Sequence, residues 1–252
     1  MLFDNTPKMT DFISQIKQPD SKIDLATACL YFAKTEYPDL DVASYLNTLD
    51  EMAGELQARL PESRYPLKVV KTINQYLFED LKFRGNTRDY YDPRNSFLNE
   101  VIERRMGIPL TLSVLYLALA KRLNFPMVGI GMPGHFLIRP DFEDSGVFVD
   151  AFNEGEILFE QDCETRLSQV YQQPVTLQPQ FLEPVSNKQI LARMLMNLKY
   201  IYLNNQELAK TLTIVEAILV IFPDELKERR DRGLLSNQLE RWEQAAQDLE
   251  IY

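Results

Sequence analysis

Histidine is nearly missing from this chain. Among 252 residues there is one, His135, beside two cysteines and a single tryptophan. Cys29 and Cys163 lie far apart without CxxC or metal-ligand spacing, so they are expected as buried small apolar residues of a reducing compartment. His135 with Asp141, Glu143 and Asp144 falls short of the ligand number and spacing of a zinc or EF-hand site, so no metal is expected. Positive charge is scarce too: 27 Lys and Arg stand against 37 Asp and Glu, a net −10. Nucleic acid and anionic membrane surfaces both want clustered cations, and neither is an expected partner. One basic cluster, Lys227 to Arg232, sits among acids and reads as a solvated helix face. No apolar run reaches the roughly 20 residues of a spanning helix. The longest candidate, 108-IPLTLSVLYLALA-120, reads as a buried core helix. The N-terminus, MLFDNTPKMTDF, lacks a signal-peptide pattern, which makes a cytoplasmic protein the expectation. No Gly-rich phosphate loop or other cofactor motif occurs; Gly129 and Gly131 alternate within a strand pattern and fit close packing or a bulge.

What is present suffices for a core, with 45% hydrophobic residues over a length comfortable for two domains. The first ninety residues read as helices. Leu40, Val42, Tyr45, Leu46, Leu49, Met52 and Leu56 form one stripe at a spacing near 3.6. A further helix is expected over 65–81, with Pro66 in its first turn, where the missing N–H costs nothing. A turn-rich aromatic loop, 82–96, leads to the helix FLNEVIERR. Pro109 then starts the central helix, apolar almost all round. After it the period shortens to about 2, giving strands at 126–132, 135–140 and 147–152. Helices followed by a meander make an α+β fold. Residues 163–189 are rich in Gln and Pro and read as a surface connector, dividing the chain into 1–162, 163–189 and 190–252.

The last segment repeats itself. A shift of 34 residues lays Leu208 on Trp242, Thr211 on Ala245, Val215 on Leu249 and Lys199 on Gly233, and Pro223-Asp224 closes the first unit. This resembles the tetratricopeptide repeat. The second unit carries Gly233, Trp242 and Ala245; the first lacks the Gly and Ala. The chain stops inside the second helix of the second unit, so that edge is expected either to be cut short or to pack on something else.

Closing the hairpin of 135–140 and 147–152 with Pro140 opposite Val147 sets Leu137 opposite Asp150. His135 then shares a face with Asp150, a diagonal neighbour within hydrogen-bond reach; a one-residue slip would part them. Phe136, Ile138, Val147, Val149 and Ala151 make the other face apolar. On residue type alone the histidine is structural or functional.

RRMGIPLTLSVLYLALAKRLNFP, followed by PGHFLIRP and VFVDAFNEG, resembles the transglutaminase-like domain of the SirB family, whose members append tetratricopeptide-like repeats. The resemblance implies a helix-rich, papain-related domain with a small antiparallel sheet, followed by an α-helical tetratricopeptide-like segment. It implies that His135 and Asp150 match the His and Asp of the catalytic triad. Pro109 falls where the nucleophilic Cys would stand, and Ala151 where the family usually has Pro. Proline has neither thiol nor N–H, so thiol acyl transfer by the usual route is not expected. Ser113, nearly one turn into the central helix, is the alternative nucleophile. Thr111, about 200° around from the expected position, should face elsewhere. Three functions follow: a non-catalytic module binding a protein or peptide through the cleft or the repeats; a hydrolase or acyltransferase using His135, Asp150 and a non-Cys nucleophile; or repeats that merely cap the first domain.

Overall fold

The computed structural model describes residues 9–142 and 146–251. Glu143 and Asp144 of the acidic loop, and the first eight residues, lie outside the described residues. The helices are α1 Thr10–Ile16, α2 Leu25–Ala33, α3 Val42–Arg59, α4 Pro66–Asn74, α5 Leu98–Arg104, α6 Pro109–Arg122, α7 Glu160–Tyr171, α8 Asn187–Asn204, α9 Leu208–Ile221, α10 Leu226–Gln238 and α11 Trp242–Ile251. The strands are β1 Arg84–Gly85, β2 Met106–Gly107, β3 Met127–Ile130, β4 Leu137–Pro140, β5 Phe148–Asp150, β6 Glu156–Leu158 and β7 Pro184–Val185. Among the described residues no helix is long and apolar enough to cross a membrane, and no group of three His, Cys, Asp or Glu is placed to hold a metal.

Local chemistry sets the helix ends. Asp41 starts α3 by accepting the Ala43 and Ser44 N–H groups, an N-cap. The helix expected over 65–81 winds as α to Asn74 and continues as a π-turn over Gln75–Asp80. Helix α6 is the centre: every residue from Pro109 to Ala120 is buried. Its N-cap, Ile108, has no side-chain oxygen. Thr111 Oγ1 takes over, accepting from Ile108 N at 3.2 Å and donating to Asn95 O at 2.7 Å.

Around α6 the sheet is richer than the expected meander. It has five antiparallel strands in the order β6-β5-β4-β3-β7. The short strands β6 and β7 escape a period-2 reading because so few residues alternate. One sheet face, with Phe136, Ile138 and Val149, joins the main core around α6. The other, with Ile130, Leu137 and Phe148, packs on Cys163 and Leu167 of α7. Thus the stretch expected as a connector, 163–189, holds most of α7, all of β7 and the start of α8. Only Cys163 and Leu167 of α7 are buried, which leaves too thin a stripe to reveal a helix.

Helices α8 to α11 form two antiparallel pairs, as the 34-residue repeat predicts. Ile190, Leu191, Leu195 and Leu198 of α8 and Ile214 and Ile218 of α9 belong to the same core as α2 and α6. Cys29 Sγ of α2 lies 3.7 Å from Met194 Sδ of α8. At the other pair Gly233 lets α11 approach closely, since a Cβ there would meet Leu249. The basic cluster at 227–232 is not wholly a solvated face. Arg232 is buried and grips Asp248 with two hydrogen bonds of 2.6 and 2.7 Å. Lys199 of α8 reaches Glu228 and Asp231 of α10.

Candidate functional site

Strand β4 pairs with β5 through Ile138 opposite Val149, the register that sets Leu137 opposite Asp150. His135 itself precedes the strand. It sits in the turn that begins at Met132, whose carbonyl accepts the His135 N–H at 3.1 Å. Gly134 takes φ +72°, and a Cβ there would strike Val170 of α7, so this turn needs glycine. From that turn His135 Nε2 reaches Asp150 Oδ2 at 2.7 Å.

Asp150 is fully buried, whereas the His135 side chain keeps 14% exposure. A buried carboxylate requires several donors, and Asp150 has them. Its Oδ1 accepts the N–H groups of Phe152 and Asn153 at 3.1 and 3.2 Å. Its Oδ2 accepts from His135, from Asn153 Nδ2 at 2.8 Å and from Arg166 Nη1. Arg166 Nη2 continues to Glu156 Oε2 at 2.6 Å. Burial alone would raise the carboxyl's pKa, but the His135 hydrogen bond and charge, then Asn153 and Arg166, outweigh it and hold Asp150 below the usual carboxylate range. An ionised carboxylate only accepts, so His135 Nε2 is the donor and, in the neutral ring, Nδ1 carries the lone pair. Among the described residues Nδ1 has no hydrogen-bond partner.

The face shared by His135 and Asp150 was expected to be the hairpin's polar side. Helix α7 covers it instead, because Leu137 and Phe148 share that face and need apolar cover. That cover brings Arg166, a residue the sequence reading missed. Its only advance signal is a cation three residues from Cys163 and one from Leu167, the buried pair of α7.

Among the described residues none of the remaining candidates hydrogen-bonds to His135. Pro109 is buried at the first turn of α6. Thr111 is spent on Ile108 and Asn95. Ser113 Oγ is buried and makes no hydrogen bond among the described residues. Cys29 and Cys163 are both buried; burial pushes the Cys163 thiol up to about 11, with Asp162 adding to the effect. Neither supplies a thiolate near neutrality.

Helix α8 closes in from the opposite side. Arg193 Nη2 donates to His135 O at 3.1 Å and Met132 O at 3.4 Å, and its guanidinium lies 5.5 Å from the Phe136 ring centre. Beyond Asp150 a chain of rings runs outward. Phe152 meets Tyr90 at 6.0 Å, Tyr90 meets Tyr91 at 5.3 Å, and Tyr91 meets Tyr200 of α8 at 5.7 Å. All three tyrosines are exposed, as are Met196 and Leu203 along α8. The histidine turn is thus one end of a surface that crosses onto the first repeat helix.

Comparison with known proteins agrees with this two-part build. A family described as the transglutaminase-like superfamily matches residues 43–196, and a tetratricopeptide-repeat family matches residues 198–252. A UPF0162 protein of Xylella fastidiosa is 36% identical over 92% of this chain and 84% of its own length. A UPF0162 protein of Vibrio cholerae is 28% identical over 91% of this chain and 85% of its own. The human F-box only protein 21 is 31% identical over 60% of this chain but 24% of its own length. No solved structure matches.

Proposed function

The chain belongs to the transglutaminase-like superfamily, with the UPF0162 proteins among its relatives, and from that premise we propose that it is a non-catalytic module that binds a protein or peptide. The pairing of such a domain with tetratricopeptide repeats suggests protein interaction, since stacked helical repeats present extended binding surfaces. The observation that carries the proposal is the exposed run of Tyr90, Tyr91, Tyr200 and Met196 beside the histidine turn. Contiguous exposed aromatic and apolar surface rimmed by polar groups marks an interaction site. The non-catalytic half rests on Pro109 at the head of α6 and on Ser113, which makes no hydrogen bond to His135. In this reading His135 and Asp150 order the cleft.

The test captures partners with wild-type protein, with Tyr200→Ala and with His135→Ala, and assays all three for esterase, amidase and acyl-transfer activity. Tyr200→Ala is expected to lose a defined set of partners that wild type retains, and none of the three is expected to turn over substrate. Identical partner sets would remove the binding half. Turnover by wild type that His135→Ala abolishes would remove the non-catalytic half.

A further inference from the structure

Two arginines flank the histidine turn, and the fold answers the charge of one of them. Arg166 meets Asp150 and Glu156. Arg193 is half-buried, and its partners are the carbonyls of Met132 and His135, both reached through Nη2, and the face of the Phe136 ring. Among the described residues no carboxylate comes within ion-pair distance of it, and its Nε and Nη1 find no acceptor. Burial pulls the guanidinium below its usual value, as it does for any cation that loses water without gaining an anion. An anion brought to this position from outside makes charge-assisted hydrogen bonds in a partly dry place, where they are stronger than in water.

The unanswered charge stands at the head of the exposed aromatic run. Burial raises the Tyr90 phenol, Tyr91 adds to the rise, and the charge of Arg193 opposes both, so the guanidinium lies near the first of the three tyrosines. Along α8, Met196 and Tyr200 follow Arg193 by three and seven residues. At 100° per residue both lie within about 60° of it around the helix axis, with Tyr200 about 10 Å farther along. Both are exposed, and Tyr91 leans on Tyr200. One face of α8 therefore offers a cation and, two turns on, an apolar and aromatic seat.

That combination selects among anions. Nucleic acid and anionic membranes present many negative charges, and a chain of net −10 repels them more than one arginine attracts. A free inorganic anion would leave the aromatic seat uncovered. A peptide carrying one carboxylate near an apolar side chain satisfies both halves.

We propose that the segment bound on this surface is an acidic peptide, with a carboxylate on Arg193 and, about 10 Å along, an apolar or aromatic side chain among Tyr91, Met196 and Tyr200. This rests on the protein-binding reading above and adds the class of segment that is bound.

The experiment selects a random-peptide phage library on the full chain and on its Arg193→Gln, Arg193→Lys and Tyr200→Ala variants, with the folding of each checked by thermal unfolding. Wild type is expected to enrich peptides that combine Asp or Glu with an aromatic or large apolar residue. Arg193→Lys keeps the charge and should retain the acidic bias in weaker form. Arg193→Gln should lose that bias but keep the apolar preference, and Tyr200→Ala should do the reverse. The leading peptide is then synthesised with its carboxylate and with the corresponding amide, and each is titrated into the ¹⁵N-labelled wild-type chain. The acid should bind about ten-fold tighter than the amide and shift the Arg193 Nε–H and Tyr200 amide signals. This second arm needs no variant, so it decides the matter even where Arg193→Gln fails to fold. An enriched pool without acidic bias, equal affinity for acid and amide, or shifts confined to residues away from α8 would overturn the proposal and leave protein binding standing. No enrichment over the bare support would overturn both.

Discussion

Asp150 and Asp248 are both buried carboxylates gripped by an arginine, and they differ in what else they touch. Asp248 accepts two hydrogen bonds from Arg232 and one from Gln244. All three groups belong to α10 and α11, and the pair is sealed. Asp150 accepts from backbone, from Asn153, from Arg166 and from His135, and the last of these reaches the surface. A buried charge that ends on fixed partners specifies how two helices pack. One that ends on a titratable, part-exposed ring can exchange energy with whatever arrives there.

The comparison breaks most easily at the sealed pair. Asp248→Ala strands Arg232 in a dry site and is expected to cost about 3–5 kcal/mol in denaturant unfolding. Replacing both partners with apolar residues should recover most of that; an equal loss in the double variant would show that Asp248 matters for another reason. Asp150→Asn keeps shape and the capping bonds but removes the charge opposite Arg166 and His135, for an expected loss of about 2–3 kcal/mol near neutrality.

That second loss depends on pH. Asp150 has its carboxyl held low in the folded state, so its contribution is fully present above the unfolded value of about 4 and disappears as pH falls through the folded value below it. The stability gap between wild type and Asp150→Asn should therefore narrow as pH drops below about 4; a gap that stayed constant would mean the charge is not what stabilises. Arg166→Gln should cost about 1–2 kcal/mol, because Glu156 and Asp150 keep other contacts with water or protein. His135→Ala should cost least, about 1 kcal/mol or under, while altering partner capture. A larger stability loss there would make the histidine as structural as Arg232.

How much of this could be read from residues alone follows the same division. The His135–Asp150 pair was legible because a strand's side chains alternate, and one pairing register decides which residues share a face. The repeat helices were legible because Leu208, Thr211 and Val215 have counterparts in Trp242, Ala245 and Leu249 at one fixed shift. Arg166 was hidden, since α7 buries two residues in twelve positions and otherwise looks like any polar segment. The burial of Arg232 was hidden for the opposite reason. A cation in a basic cluster looks solvated until its partner sixteen residues later folds against it. The shared core of α2, α6 and α8 was also beyond sequence, because an apolar helix face looks the same whichever neighbour it meets.

Arg193 has a bearing on how this chain can be recombined. The two family matches meet between residues 196 and 198, in the middle of α8, and Arg193 clasps the histidine turn one helical turn before that seam. A chimaera joined at the seam would splice half of one helix onto half of another. A crossover placed in the loop after Asn204 would carry α8 whole, with its grip on the first domain intact, and is the junction at which relatives should exchange their remaining helices without losing the fold.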